Sequence, residues 1–126
     1  MITGKITVHR EAVIELEVVG LNQLSRIEAV IDTGFTGYLT LPSTLIDRLK
    51  LQQAGEQITI LGDENRVVLK RYVAKVLWHG AERDVYILQA EGGPLIGMSL
   101  LYGSRLILDI VTDGEVTIDA LPNQRQ

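Results

Sequence analysis

The sequence predicts an all-β fold, mainly antiparallel and closed or nearly closed, with one or two short helices. Two observations carry this prediction. Apolar and polar residues alternate along most of the chain, and clusters of turn-forming residues interrupt that alternation repeatedly. With 126 residues, of which 46% are hydrophobic, the chain is long enough for one core and too short for two. We therefore expect residues 1–126 to form a single domain.

The first half of the chain predicts four strands and a helix. The segments that predict strands are 2–8, 12–19, 24–31 and 38–41. Gly20-Leu21-Asn22-Gln23 has turn chemistry, so we expect the strands on either side of it to form a hairpin. Pro42 is placed to begin a helix that ends near Lys50, with Ser43 or Thr44 as its cap.

The second half predicts further strands and a helical turn. The strand segments are 57–61, 66–69, 72–78, 83–89, 105–110 and 115–119. Gly62-Asp63-Glu64-Asn65 joins the first two of these segments, and Thr112-Asp113-Gly114 joins the last two. Leu95-Ile96-Gly97 leads into the helical turn, over residues 98–102.

Composition and charge exclude several classes of protein. The chain has 12 Lys+Arg and 16 Asp+Glu, a net charge of −4, so no basic face for a nucleic acid is expected. Without cysteine, it has neither a disulfide framework nor a thiolate ligand or nucleophile. No apolar run is long enough for a signal peptide or a membrane span. We expect a cytoplasmic protein that binds no membrane.

No motif for a metal or a cofactor accompanies the strands. His9 and His79 lie far apart in the sequence, with no ligand spacing around them. Gly92-Gly93-Pro94 lacks the strand and helix context of a nucleotide-binding loop. No G-x-S-x-G segment surrounds any of the serines. We therefore expect a protein without metal or cofactor.

Asp32-Thr33-Gly34 is the segment whose residue types best suit a catalytic site. The apolar strand that ends at Ile31 runs directly into Asp32, whose carboxylate then points into the cavity that the fold makes. Thr33 can hydrogen-bond the backbone, and Gly34 lets its own N–H approach the carboxylate closely. The same three residue types also favour turns, so a plain loop between strands is the alternative interpretation.

The layout around this tripeptide resembles the retropepsin-like aspartic proteases. These have a D-T/S-G catalytic loop after an apolar strand, a hairpin flap, and an apolar-apolar-Gly segment that enters a short helix. Here the matching parts are Asp32-Thr33-Gly34, the hairpin at Gly62 and Asp63, and Leu95-Ile96-Gly97. The stretches DTGFTGYLTLP and PLIGMSLL are similar to a small microbial branch of that clan with Phe after the catalytic Gly. The resemblance spans about residues 24–110 and implies a closed acid-protease-like barrel.

The resemblance also implies an aspartic endopeptidase that works as a homodimer. Two carboxyls that share one proton can activate a water and polarise the scissile carbonyl. The chain has a single D-T/S-G, because Asp63, Asp109 and Asp113 are not followed by Thr-Gly or Ser-Gly. Asp32 of one chain would therefore meet Asp32 of a second chain on a two-fold axis. Thr33 would brace the loop, and the flap would close over an extended peptide or protein substrate.

Three features depart from the better-known members of this family. Phe35 stands where those carry a small residue. Its ring would reshape the cleft floor or pack under the loop, and plain filling of the core is the alternative. The flap tip is acidic and has only Gly62, so Asp63 and Glu64 would repel acidic peptides. Met98-Ser99 stands where viral members have Arg followed by Asn or Asp. A dimer must therefore rest on other surface, such as the terminal strands.

Two other functions fit the sequence. One is a retropepsin-like module that binds an extended peptide or a partner protein without cutting it, which the departures at the flap and at Met98-Ser99 favour. The other is a purely structural protein or a partner protein of the toxin–antitoxin type, which a monomeric chain would favour. The substitution Asp32→Asn distinguishes the first from the protease, because it abolishes cleavage and leaves peptide binding intact.

Overall fold

Strands make up most of the chain, and two short helices interrupt them, as the sequence predicts. The structure, a computed structural model, describes residues 1–60 and 64–122. The strands are β1 (Ile2–Ile6), β2 (Ala12–Val19), β3 (Leu24–Ile31), β4 (Leu39–Leu41), β5 (Gln52–Ile60), β6 (Arg66–Trp78), β7 (Ala81–Gln89), β8 (Leu95–Ile96), β9 (Ser104–Leu108) and β10 (Glu115–Ala120). The helices are α1 (Ser43–Leu49) and α2 (Met98–Leu101). Across the described residues, no helix has the length and apolar character that a membrane crossing requires.

The strands form one mixed sheet of ten strands in the order β5-β6-β7-β4-β8-β3-β2-β1-β10-β9. Neighbours run antiparallel except for β3 with β8 and β4 with β7, which are parallel. β2 also pairs with β6, through Val18 with Val76 and Val19 with Lys75. Because of this extra pairing, β2, β3, β8, β4, β7 and β6 follow one another in a closed ring of paired neighbours. β5 and β9 are the two end strands of the sheet.

The alternation along the strands separates the core from the solvent. In β2, the side chains of Ile14, Leu16 and Val18 are buried, while Glu15 between them is exposed. α1 adds Leu45, Ile46 and Leu49 to the same core. Each such side chain contributes about 1.5–3 kcal/mol by leaving water. The period of two that predicts the strands is thus the pattern that builds the interior.

One long strand replaces two that the sequence predicts. Residues 66–78 form a single strand of 13 residues, although Lys70 and Arg71 separate its apolar halves in the sequence. Lys70 lies opposite Glu56 on β5. The Nε of Arg71 donates to the Ala54 carbonyl at 3.0 Å, and its guanidinium carbon lies 4.4 Å from the centre of the Tyr86 ring. Neighbouring strands therefore accommodate both charges without a break.

The start of α1 also differs from the sequence-based expectation. The helix begins at Ser43, and Pro42 itself occupies the capping position in an extended conformation. Neither Ser43 nor Thr44 is the cap. The amide and hydroxyl of Ser43 donate instead to the carboxylate of Glu91, at 3.1 and 3.3 Å. The Glu91 carboxylate, distant in sequence, thus accepts a hydrogen bond from an N–H at the start of the helix, which a local cap was expected to accept.

Candidate functional site

The loop after β3 holds the Asp32 carboxylate with its own backbone. Asp32 is half-buried at the end of the strand, and its Oδ1 accepts the Gly34 N–H at 2.9 Å. The Phe35 N–H donates to the Asp32 carbonyl at 3.1 Å, which closes the turn. A Cβ added to Gly34 would stand 3.3 Å from Oδ1, so glycine keeps this approach open. The expected contact between the Gly34 N–H and the carboxylate is present.

Thr33 is exposed at the tip of this turn. Its hydroxyl makes no hydrogen bond to residues 1–60 or 64–122, so none of these residues ties it to the loop. Bracing across a dimer axis stays a prediction.

Leu95-Ile96-Gly97 lies directly against the loop, far from it in sequence. β8 is inserted between β3 and β4, with Ile31 opposite Ile96. The Asp32 N–H donates to the Ile96 carbonyl at 2.8 Å, and the Gly97 N–H to the Tyr38 carbonyl at 3.0 Å. The structure thus brings together six of the predicted site residues, Asp32, Thr33, Gly34, Leu95, Ile96 and Gly97. The remaining two, Gly62 and Asp63, lie outside the described residues.

The Phe35 ring packs back onto two glycines of the site. A Cβ added to Gly37 would come within 2.5 Å of the ring, and one added to Gly97 within 2.6 Å. Both distances are shorter than a Cβ atom tolerates, so the position of the Phe35 ring requires glycine at positions 37 and 97. Phe35 is half-buried in this position and fixes the loop beside the carboxylate. Of the three expectations for Phe35, packing under the loop is the one that these contacts fit.

α2 binds the loop through its first turn. The Met98 N–H donates to the Phe35 carbonyl at 2.8 Å, and the Ser99 N–H to the Gly37 carbonyl at 3.1 Å. The Ser99 hydroxyl donates to the Thr36 carbonyl at 2.5 Å. At the start of a helix, the first N–H groups have no acceptor within the helix. In α2 these groups donate to carbonyls of the loop.

Arg83 of β7 holds the other end of α2, a contact that the sequence analysis missed. Its guanidinium donates to the Leu100 carbonyl at 3.1 Å and to the Ser99 carbonyl at 3.3 Å. The guanidinium carbon also lies 5.6 Å from the centre of the Tyr38 ring. A cation near a helix C-terminus satisfies carbonyls that have no partner in the helix. No local sequence signal marks this contact, since Arg83 is distant in sequence from both α2 and Tyr38.

A cleft separates the loop from β5. It has a volume of about 490 Å³, and its lining comprises Gly34, Phe35 and Thr36 on one side and residues 57–60 on the other. Ile58 and Ile60 are exposed by 63% and 64%. The Asp32 loop therefore borders a space that is large enough for several peptide residues and has apolar side chains on its far wall.

In the part of the chain that the structure describes, no metal-binding cluster accompanies the Asp32 carboxylate. Among the described residues, no three His, Asp or Glu side chains are grouped so that they could hold a metal ion. No hydrogen bond or ion pair within the described part of the chain joins Asp32 to a second carboxylate. The chemistry available here is that of one carboxylate, a tight backbone turn and a cleft.

No family model matches this chain, and no curated protein matches it. The functional interpretation therefore rests on the residues and on their geometry.

Proposed function

We propose that this chain is one half of a homodimeric aspartic endopeptidase of the retropepsin-like kind, with Asp32 as its catalytic residue. The observation that carries the proposal is the geometry of the Asp32 loop. The carboxylate ends a strand of the sheet, accepts the Gly34 N–H at 2.9 Å, and belongs to a loop that lines a cleft of about 490 Å³. Asp32 itself is not among the residues that line this cleft, and its carboxylate is held beside it by the turn. From there we expect it to act as an acid or base on a molecule bound in the cleft.

The second carboxyl comes from a second copy of the chain. The chain contains one D-T/S-G segment, and hydrolysis by carboxylates requires one ionised and one protonated group. The ionised Asp32 takes a proton from a bridging water while the water oxygen attacks the scissile carbonyl carbon. The protonated Asp32 of the second copy gives its proton to the carbonyl oxygen. The tetrahedral intermediate then collapses: the C–N bond breaks, the Asp32 that took the water proton gives it to the leaving nitrogen, and a hydroxyl of the intermediate returns a proton to the Asp32 of the second copy. Both carboxyls regain their starting states, and no covalent enzyme intermediate forms.

The sheet topology supports a protease-like fold for the proposed enzyme. The ring of paired neighbours from β2 to β6 is what a closed acid-protease-like barrel requires. β8 lies between β3 and β4, the strands on either side of the Asp32 loop. The apolar-apolar-Gly segment is thus in contact with the catalytic tripeptide, as the family resemblance implies.

The substrate of this site is an extended peptide. β5 is an end strand of the sheet and lines the cleft with residues 57–60. An end strand offers main-chain N–H and C=O groups to an extended peptide, which binds as an additional strand. The exposed side chains of Ile58 and Ile60 supply apolar contact for alternate residues of that peptide.

The substitution Asp32→Asn tests the catalytic role. An asparagine Oδ1 still accepts the Gly34 N–H, so the fold and any dimer should persist while cleavage falls by about 10³-fold or more. The assay is digestion of a mixed peptide library from about pH 3 to pH 8, with products identified by mass spectrometry. Asp47→Asn, at an exposed position on α1, is the matched control and should cleave as the parent does. Unchanged cleavage by the Asp32 variant would overturn the proposal.

A second candidate function is binding of an extended peptide without hydrolysis. The free edge of β5 beside the cleft favours it, because strand addition needs no carboxylate. In that case peptide binding would survive Asp32→Asn, and the parent protein would yield no products at any pH in the same library assay.

A further inference from the structure

The turn between β6 and β7 places a histidine against the first residue of β9. The Nε2 atom of His79 lies 2.8 Å from the Oγ atom of Ser104, which follows 25 residues later in the chain. Both residues are half-buried, and both line one cavity of about 380 Å³. No residue lines both this cavity and the cleft beside the Asp32 loop. A nucleophile and a base within hydrogen-bond reach thus occupy a second site.

The turn that carries His79 does not itself require an imidazole. His79 and Gly80 form the two-residue connection between Trp78 and Ala81, with φ of 52° and 79°. Hairpin turns with positive φ at both central residues favour Asn-Gly or Asp-Gly. Asparagine or aspartate would therefore satisfy this backbone at least as well as histidine does. The side chain of His79 is better explained by what it contacts.

The surroundings of His79 hold its ring in place and keep it neutral. The buried Trp78 indole has its ring centre 5.2 Å from that of the imidazole, with the two planes at 60°. Burial lowers the pKa of His79, and the N-terminal ammonium and Arg83 lower it further, while Asp119 opposes them. With its proton on Nδ1, the neutral ring accepts the Ser104 hydroxyl at Nε2.

The backbone of Ser104 carries a donor that points away from β10. Ser104 lies opposite Ala120, and the Leu121 N–H donates to the Gly103 carbonyl at 2.9 Å. This is the arrangement around a non-hydrogen-bonded position of an antiparallel pair. Among residues 1–60 and 64–122, the Ser104 N–H accordingly has no backbone acceptor. The N–H of a nucleophilic serine can stabilise the negative charge that forms on a carbonyl oxygen under attack.

We propose that Ser104 and His79 form a nucleophile–base pair that hydrolyses carboxylic esters with a short apolar acyl group. The Nε2 of His79 takes the hydroxyl proton while the Ser104 Oγ attacks the ester carbonyl carbon. The C–O bond to the alcohol then breaks, the imidazolium gives its proton to the leaving oxygen, and the acyl group stays on Oγ. Water attacks this acyl carbon and gives a proton to Nε2. The bond to Oγ breaks, Oγ takes that proton, and the carboxylic acid leaves.

The lining of the cavity sets the class of ester. Trp78, Tyr102 and Leu121 give it apolar walls. The Arg83 guanidinium, which also lines it, already donates to two carbonyls of α2 at 3.1 and 3.3 Å. An apolar acyl group therefore fits these walls better than one that carries a carboxylate. Esters suit the pair better than amides, because an alcohol oxygen leaves more readily than an amide nitrogen.

Hydrolysis of p-nitrophenyl acetate and p-nitrophenyl butyrate tests the pair. Ser104→Ala and His79→Gln should each lower the rate about 10²-fold or more, the range for base-assisted attack. Ser25→Ala and His9→Gln, outside this cavity, are the matched controls and should hydrolyse both esters as the parent does. The parent rate should level off by about pH 7, because the pKa of His79 lies below its usual 6.5.

Covalent labelling locates the nucleophile without relying on turnover. A fluorophosphonate should add to the Ser104 Oγ with loss of fluoride, and mass spectrometry of the peptides should find the label there and not on Ser25. If Ser104→Ala fails to fold, Ser104→Cys decides, because the parent has no cysteine. Near pH 6.5 its thiol should react with iodoacetamide about tenfold faster than the thiol of Ser25→Cys, since a neighbouring imidazole favours the thiolate. Adding His79→Gln should remove the difference.

Two results would overturn this assignment: ester hydrolysis that is equal in the parent and in both variants, or labelling of Ser104 that His79→Gln leaves unchanged. The contact would then only join the β6–β7 turn to β9. The outcome is independent of the proposed protease, because Asp32→Asn should leave ester hydrolysis at the parent rate. Ester hydrolysis that Asp32→Asn abolishes would place the reaction at the Asp32 loop and would also reject the pair.

Discussion

At the scale of single residues, the Asp32 loop depends on small side chains around a large one. The Phe35 ring occupies the space that side chains at positions 37 and 97 would otherwise take. At Gly97, an added Cβ would also come within 2.7 Å of the Phe35 carbonyl oxygen, which is backbone and cannot move aside alone. Glycine at position 97 is thus a requirement of packing.

Gly97→Ala should destabilise the protein by about 1–3 kcal/mol, the usual cost of forcing extra volume into a packed site. Gly93→Ala is the matched control, because a Cβ there meets nothing within 4 Å and the residue has no positive φ. Urea unfolding of both variants measures the difference. Equal midpoints for Gly97→Ala and the parent would show that the ring and loop relax freely.

At the scale of elements, α2 connects three parts of the site although it has only four residues. Its first turn donates to the loop carbonyls, and its last carbonyls accept from Arg83. A helix this short has little stability of its own. We infer that Arg83 is a positioning residue that acts on Asp32 through α2.

Arg83→Gln should therefore cost about 1.5–3 kcal/mol of stability, the range for hydrogen bonds that involve a charged group. It should also shift the amide resonances of residues 35–37, which Arg83 does not hydrogen-bond, and lower kcat of the proposed protease more than it changes KM. Arg48→Gln, on the exposed side of α1, serves as the control. If the amides of residues 35–37 keep their shifts, Arg83 stabilises α2 without positioning the loop.

The elements were predictable to the extent that their signals are local. The alternation of β2 and the turn chemistry before β3 predict that hairpin, and the D-T-G sequence predicts the Gly34 contact with the carboxylate. Contacts between distant segments left no such signal. The insertion of β8 between β3 and β4 depends on the sheet as a whole, and the Arg83 contact joins residues that are 16 and 17 positions apart. Gly37, Gly97 and Phe35 were all visible in the sequence, but the packing of the Phe35 ring on both glycines was not.

At the scale of the whole molecule, a single histidine links separate parts of the sheet. His79, in the turn between β6 and β7, lies with its Nε2 2.8 Å from the Ser104 hydroxyl at the start of β9. Burial lowers the pKa of His79 from its usual 6.5, and the N-terminal ammonium and Arg83 lower it further, while Asp119 opposes them. The folded protein therefore favours the neutral imidazole.

This lowered pKa predicts that stability depends on pH. The unfolded chain takes up a proton at His79 near pH 6.5, where the folded chain does not. The contribution of His79 to stability should thus be full above about pH 6.5. It should decrease as the pH falls below that value, towards the lower pKa of the folded state. Urea midpoints between about pH 5.5 and 7.5 measure this slope, which His79→Gln should flatten and His9→Gln, at an exposed position, should leave in place. An equal slope in all three proteins would assign the effect to other groups.

The order of charges along β9 also limits how many chains can associate at this edge. Stacked in parallel and in register, successive chains would place Arg105 on Arg105 and Asp109 on Asp109, which repel. That stacking is the geometry from which amyloid fibrils are built. The charges at the two ends of residues 105–109 thereby disfavour open-ended, fibril-like stacking at the edge that β9 forms.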